Sequence, residues 1–144
     1  MFEQRWLVYA FLSALSASFI AIFGKVGMEG IDSNLATTIR SAIMTAFLLG
    51  VCTIMGLWNR LPSLHGKAVG MIALSGIAGA VSWIFYFAAI QAGTVSQVAP
   101  IDKLSMPLGI LLAVIILGDR PTLLNWFGIA MIAGGAYLAA VPRR

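Results

Sequence analysis

The sequence has little charge. Only 10% of its 144 residues are Asp, Glu, Lys or Arg, whereas hydrophobic residues make up 60%. A soluble domain carries about 25% charged residues, so this chain lacks the charge that would keep its surface in water. The deficit excludes an ordinary soluble domain and predicts an integral protein of the lipid bilayer.

Reactive and metal-binding residues are also scarce. The single cysteine, Cys52, lies in an apolar run and has no second cysteine to pair with in the chain. The single histidine, His65, lies in a polar link with no other metal ligand in view. The sequence shows no Ser/His/Asp set and no glycine-rich phosphate loop. We therefore expect neither an enzyme nor a bound metal or cofactor. The net charge of +4 is expected to face phospholipid headgroups, not nucleic acid.

Long hydrophobic runs fill most of the chain. At roughly 20 residues per crossing, they predict five spans joined by short links. The predicted fold class is all-α, an integral membrane bundle of five transmembrane helices forming one domain over residues 1–144. The predicted spans cover residues 6–24, 35–57, 68–90, 96–117 and 123–141. The first run is too long for a signal peptide and is followed by further spans, so we expect a multi-pass protein of the cell (inner) membrane.

The fourth span contains an ionised pair and two prolines. Asp102 and Lys103 lie inside it, and a charge within a span costs a few kcal/mol or more. Pro100 and Pro107 each remove a backbone donor and are expected to kink the helix. Irregular backbone in lipid survives only beside protein or a water-filled cavity. The segment is therefore predicted to line a polar cavity, where a proton or an anionic substrate competes for the pair. The alternative is that the two charges only neutralise each other near the membrane surface.

Five further side chains are candidates for the substrate or ion pathway. They are Arg40, Trp83, Tyr86, Gln91 and Ser13. Arg40 is expected either to extend to the headgroups or to point inward towards a substrate or the Asp102 carboxylate. Trp83 and Tyr86 would stack on an apolar or cationic ligand, or only pack. Ser13 belongs to a stripe of small residues that borders the cavity or serves close helix packing.

Two pairs of small residues are candidates for helix association between subunits. They are Gly109 with Ala113 and Ala130 with Gly134, each spaced four apart. The Lys and Arg residues divide almost evenly between the two sides of a five-span chain, so the positive-inside rule gives no orientation. Such balance suits a protein that inserts in both directions.

The end of the fourth span carries a recognisable motif. Leu117-Gly118-Asp119-Arg120-Pro121-Thr122 is followed by Trp126-Phe127-Gly128 and then Ala133-Gly134-Gly135. Upstream are Tyr86 to Gly93, in the pattern Tyr-x-x-Ala-x-x-x-Gly, and Arg40 early in span two. In order and spacing the chain resembles an EamA-type domain of the drug/metabolite transporter superfamily, over nearly its whole length. Asp119 stands where that family more often has Glu.

The resemblance implies transport of small metabolites without ATP, often as efflux. Most such proteins carry two of these domains, so this chain resembles a half-transporter. We predict a secondary transporter of small metabolites or drugs that works as a homodimer, possibly antiparallel. Span one has no acidic residue between Trp6 and Gly24, which disfavours the cation export of the related four-span multidrug exporters. The alternative is a non-transporting partner subunit that binds another chain through its glycine faces.

Overall fold

The computed structural model describes residues 5–141, so residues 1–4 and 142–144 of the predicted domain lie outside the described part. The elements are α1 (Arg5–Gly27), α2 (Ser33–Ile54), a 3-10 helix (Leu57–Ser63), α3 (Gly66–Ala92), α4 (Val95–Asp102), α5 (Ser105–Leu117) and α6 (Leu123–Ala140). No strand occurs within residues 5–141. The all-α prediction is confirmed.

Five helical segments are long and apolar enough to cross a membrane, with α4 and α5 counted together as one segment. Their large apolar side chains point away from the protein, as at Phe11, Phe47 and Ile116, which are 70%, 69% and 71% exposed. A soluble protein would bury such side chains, whereas a bilayer solvates them with acyl chains. The predicted five-span membrane protein is confirmed.

The second span ends earlier than the sequence predicts. α2 stops at Ile54, before the expected boundary near residue 57. Gly56 then takes a φ of 63°, a left-handed conformation that suits glycine and ends helices. The chain continues as the 3-10 helix, so part of the predicted polar link is itself helical.

The fourth span is interrupted between α4 and α5, at Lys103 and Leu104. Pro107 has no N–H to donate to the carbonyl one turn earlier, and its ring crowds that carbonyl. The carbonyl oxygen of Lys103 instead accepts from the amide of Met106, at 3.0 Å, which tightens this turn. Pro100 lies inside α4. The interruption therefore falls where the second proline requires it.

The chain divides into two compact units. The first unit contains the residues up to Phe23 and those from Ala92 onward, and the second is Gly24–Gln91. In the first, α6 packs against both α4 and α5. The buried side chains of the second unit are Met28, Ser33, Thr37, Phe87 and Ile90. We describe each unit separately below.

Candidate functional site

Arg40 of α2 lies against the aromatic side chains of α3. Its guanidinium carbon is 3.8 Å from the centroid of the Trp83 ring and 5.0 Å from that of Phe87. Trp83 and Phe87 are four residues apart and share one face of α3. A cation over an aromatic ring gains about 0.5–2 kcal/mol, more when desolvated. Trp83, one of the two rings predicted to stack on a ligand, thus holds a cation from the chain itself.

The Arg40 guanidinium has an unmatched donor. Its Nη1 atom is buried and has no hydrogen-bond partner among residues 5–141, although the residue as a whole is half-buried. Leaving a buried donor unsatisfied costs about 1–3 kcal/mol, and more for a charged group. Aromatic contact offsets only part of this cost. The arrangement is therefore incomplete without an acceptor.

Phe87 is held firmly in this cluster. It is only 2% exposed, and its ring meets that of Tyr86 edge-on, with the centroids 5.4 Å apart. On its other side lies Gly24 of α1, where any side chain would collide with the Phe87 ring. The aromatic wall under Arg40 is consequently fixed before any ligand arrives.

Two polar side chains tie the end of α1 and the link that follows it to the end of α3. Gln91 donates from Nε2 to the carbonyl oxygen of Ile31, at 2.9 Å, and Lys25 donates from Nζ to that of Ile90. In addition, the Asp32 carboxylate caps α2 by accepting from the two amides that follow Ser33. Gln91, a predicted pathway residue, thus makes a structural contact near the Arg40 cluster.

A stripe of hydroxyl groups runs along α2 beside Arg40. The sequence analysis did not identify this stripe. The stripe consists of Ser33, Thr37, Ser41 and Thr45. Each of the last three donates to the carbonyl oxygen of the member before it, at 2.7, 2.8 and 2.9 Å. The four-residue spacing of hydroxyls was the available signal, since it places them on one helix face. Each oxygen retains acceptor capacity after donating.

The two charges at the interruption of the fourth span pair with each other. Lys103 Nζ lies 3.3 Å from Asp102 Oδ2, and the two side chains are 64% and 31% exposed, respectively. Neighbours on a regular helix point about 100° apart, but Lys103 lies just beyond the end of α4. The interruption in the span thus accompanies a contact that a continuous helix would disfavour.

The structure groups the predicted site residues by unit. Arg40, Trp83, Tyr86 and Gln91 fall in the second unit, and Asp102 and Lys103 in the first. Ser13 is exposed on α1 and belongs to neither cluster. Phe87 was missed as a site residue, although its four-residue distance from Trp83 placed it on the same face.

An interrupted membrane helix with ionised side chains is typical of membrane transporters, and an arginine inside another membrane-spanning helix is typical of them too. The comparisons with known proteins agree. Residues 4–141 match the EamA-like transporter family, and the chain belongs to that family. The expected family membership is confirmed, and the chain is a multi-pass transporter of the drug/metabolite type.

A similar protein from Sinorhizobium sp is named an uncharacterized transporter in the cobO 3′ region. It is 39% identical over 139 residues, which cover 96% of this chain and 99% of that protein. No solved structure matches the chain. The family consists of transporters rather than enzymes, which agrees with the lack of catalytic motifs in the sequence.

Proposed function

We propose that this chain is a secondary transporter that exports small metabolites or drugs, and that it works as a homodimer of five-span halves. The interruption at Lys103, with Asp102 beside it, is the observation that carries the proposal. It lies about 12 Å along the fourth span, counted from Val95 at 1.5 Å per residue. At that depth, freed backbone groups and charges require protein or water beside them. Discontinuous helices mark substrate and ion sites in many secondary transporters.

The pair supplies a simple means of coupling. A proton that neutralises Asp102, or an anionic group that binds Lys103, competes with the 3.3 Å contact between the two side chains. The sequence contains no nucleotide-binding motif. A gradient of an ion or solute would therefore drive export.

Exposed small-residue faces support the homodimer. A side-chain carbon added at Gly109 of α5 or at Gly134 of α6 would meet nothing within 4 Å. Both faces are thus open to close approach by another helix. The similar Sinorhizobium protein also corresponds to one five-span unit, since the match covers 99% of it. A second copy would supply the wall that five helices lack, and an inverted copy would give the symmetry common in transporters.

The transport test begins with growth of cells that express the chain, under a panel of metabolites and drugs. The compound against which it protects is then measured in inside-out membrane vesicles, where export appears as uptake. We expect Lys103→Ala to abolish uptake while leaving the amount of inserted protein unchanged. Lys67→Ala, at the exposed start of α3, is the matched control and should transport normally. Uptake by Lys103→Ala at the parental rate would contradict the proposal.

The dimer is tested separately. Gly134→Leu should block close helix approach, reducing both uptake and cross-linked dimer. Reporters fused after Arg144 should give signal on both sides of the membrane if the dimer is antiparallel. Signal on one side only would contradict that arrangement. Activity that survives Lys103→Ala but is lost with Gly134→Leu would instead support the partner-subunit alternative.

A further inference from the structure

We propose that Arg40, held on the rings of Trp83 and Phe87, binds the carboxylate of a transported substrate, and that this substrate is a monoanion with an apolar body. The inference rests on the proposed transport function and assigns it a class of substrate. It starts from the Nη1 atom of Arg40, which is buried and has no acceptor among the described residues.

The chemistry of the donor favours a carboxylate. A guanidinium is a planar fork whose N–H groups match the two oxygens of a carboxylate. Trp83 lies under its carbon at 3.8 Å, which leaves the N–H groups at the edge of the plane to make hydrogen bonds. Arg40 is half-buried, not fully buried, so a small outward movement of its side chain would bring the buried Nη1 to an approaching ligand. An oxygen acceptor there would supply the hydrogen bond that the second unit does not provide.

The charges in the second unit favour a single negative charge on the substrate. Arg60 lies in the 3-10 helix that follows α2, and the end of α2 is about 21 Å along the helix from Arg40 at 1.5 Å per residue. Lys67 lies at the start of α3, about 24 Å along that helix from Trp83 at 1.5 Å per residue. Lys25 is bonded to the carbonyl oxygen of Ile90. Among the described cations of the second unit, Arg40 is therefore the one with a buried donor that lacks an acceptor, which favours a substrate with a single carboxylate.

The surroundings favour an apolar body. Trp83 is half-buried and presents its ring to the guanidinium, and the half-buried Tyr86 packs against the next ring, that of Phe87. Ligand sites typically combine apolar and aromatic walls with a few polar groups that fix orientation. Here the charge of Arg40 would orient the ligand, and the aromatic rings would contact its apolar part. Benzoate is the simplest probe with both features.

The test measures binding rather than transport. The purified protein carrying Trp6→Phe, Trp58→Phe and Trp126→Phe retains Trp83 as its one tryptophan, whose fluorescence can be excited apart from that of tyrosine. It is titrated with benzoate and with benzamide, which has the same shape but no charge, and radiolabelled benzoate provides an independent equilibrium measurement. We expect saturable benzoate binding and at least tenfold weaker binding of benzamide.

Substitution of the arginine then identifies the site. Arg40→Gln should weaken benzoate binding at least tenfold, as expected for loss of a charge-assisted hydrogen bond, and should leave benzamide binding unchanged. Arg40→Lys should fall between the two, because it keeps the charge and loses the fork. Arg60→Gln is the matched control and should bind as the parent does. If Arg40→Gln does not fold, judged by gel filtration and thermal melting, Arg40→Lys decides the question.

Three results would overturn the assignment. The first is equal binding of benzoate and benzamide. The second is unchanged benzoate binding in Arg40→Gln or, if that variant does not fold, in Arg40→Lys. The third is displacement of benzoate by inorganic phosphate at equal or lower concentration. The last would assign the site to phosphate groups. Failure of this site and failure of transport remain distinct. Loss of uptake in Lys103→Ala without benzoate binding refutes the site alone, whereas benzoate binding with no vesicle uptake of any compound refutes the transport function alone.

Discussion

Arg40 lies in an unbroken helix and has no carboxylate partner among the described residues, whereas Lys103 lies at a helix break and is paired with its neighbour in sequence. The lysine side chain is 64% exposed, but one nitrogen of the arginine is buried. Each unit thus contains a cation within a membrane-spanning segment. The cation of the first unit is exposed and paired, whereas that of the second is partly buried and has no carboxylate partner among the described residues.

The difference shows two ways of keeping charge in a membrane protein. A local pair at an irregular backbone neutralises itself and can open without disturbing the fold. A cation on aromatic rings is held in place by packing, yet its hydrogen-bonding capacity remains unused. The first arrangement suits a switch, and the second suits a binding site. The following experiments would break or sharpen that contrast.

The largest effect is expected at the aromatic wall. Gly24→Ala places a methyl group against the ring of Phe87, and overpacking of this kind typically costs about 1–3 kcal/mol. Thermal melting in detergent should show a clear loss of stability. The matched control is Gly27→Ala on the same helix, which meets nothing within 4 Å and should be neutral or slightly stabilising. Equal melting temperatures for the two variants would mean that Phe87 is not fixed.

The second experiment compares the two cations directly. Arg40→Met removes an unsatisfied buried donor, so we expect a net gain of about 1 kcal/mol, after allowing for the lost contact with Trp83. Lys103→Met leaves the Asp102 carboxylate unpaired and should destabilise by about 0.5 kcal/mol, within the range for exposed pairs. Melting temperatures should therefore move in opposite directions.

A double variant checks the interpretation of that result. Asp102→Asn combined with Lys103→Met removes both charges and should recover most of the stability lost in Lys103→Met, as a double-mutant cycle would show. If both single cation variants shift stability in the same direction, the proposed contrast between the units is wrong.

The third experiment concerns the break itself. Pro107→Ala restores an N–H that can donate to the carbonyl oxygen of Lys103, which now accepts from Met106. One regained hydrogen bond of about 1 kcal/mol should slow local amide exchange roughly fivefold. Hydrogen exchange with mass spectrometry over residues 103–108 measures this. Pro121→Ala, in the link before α6, is the control and should leave those amides unchanged.

The smallest effect is expected in the hydroxyl stripe. Thr37→Val removes a buried hydroxyl that bonds the Ser33 carbonyl oxygen, and we expect a loss of about 0.5–1 kcal/mol in melting experiments. Its neighbour Thr38 makes the equivalent bond to Asn34, but at an exposed position. Thr38→Val should therefore be close to neutral. A larger loss at Thr38 would show that the stripe is not the packed face of α2.

Much of the fold could be predicted because it depends on local properties. Runs of apolar residues long enough to span a bilayer determine the number of membrane helices, and Pro107 determines where the fourth one opens. The end of α2 was predicted too late, because the left-handed turn at Gly56 is not distinguishable from helix by hydropathy. The family motifs around Leu117 to Thr122 correctly indicated a transporter.

The candidate site could be predicted only in part. The sequence placed Trp83 and Phe87 on one face of a helix, since the helical period alone determines this. It left the direction of Arg40 open, and its Gln91 prediction did not anticipate the bond to Ile31. Those contacts join residues far apart in the chain, so side-chain chemistry alone does not specify them.

The sequence by itself determined that this is a membrane protein with five membrane-spanning helical segments, one of which is interrupted. Hydrophobicity and the missing proline N–H determine these features because both act over short stretches of chain. Only the tertiary structure decided that Arg40 lies on Trp83 with a donor unmatched, because that outcome depends on how two separate helices bring their side chains together.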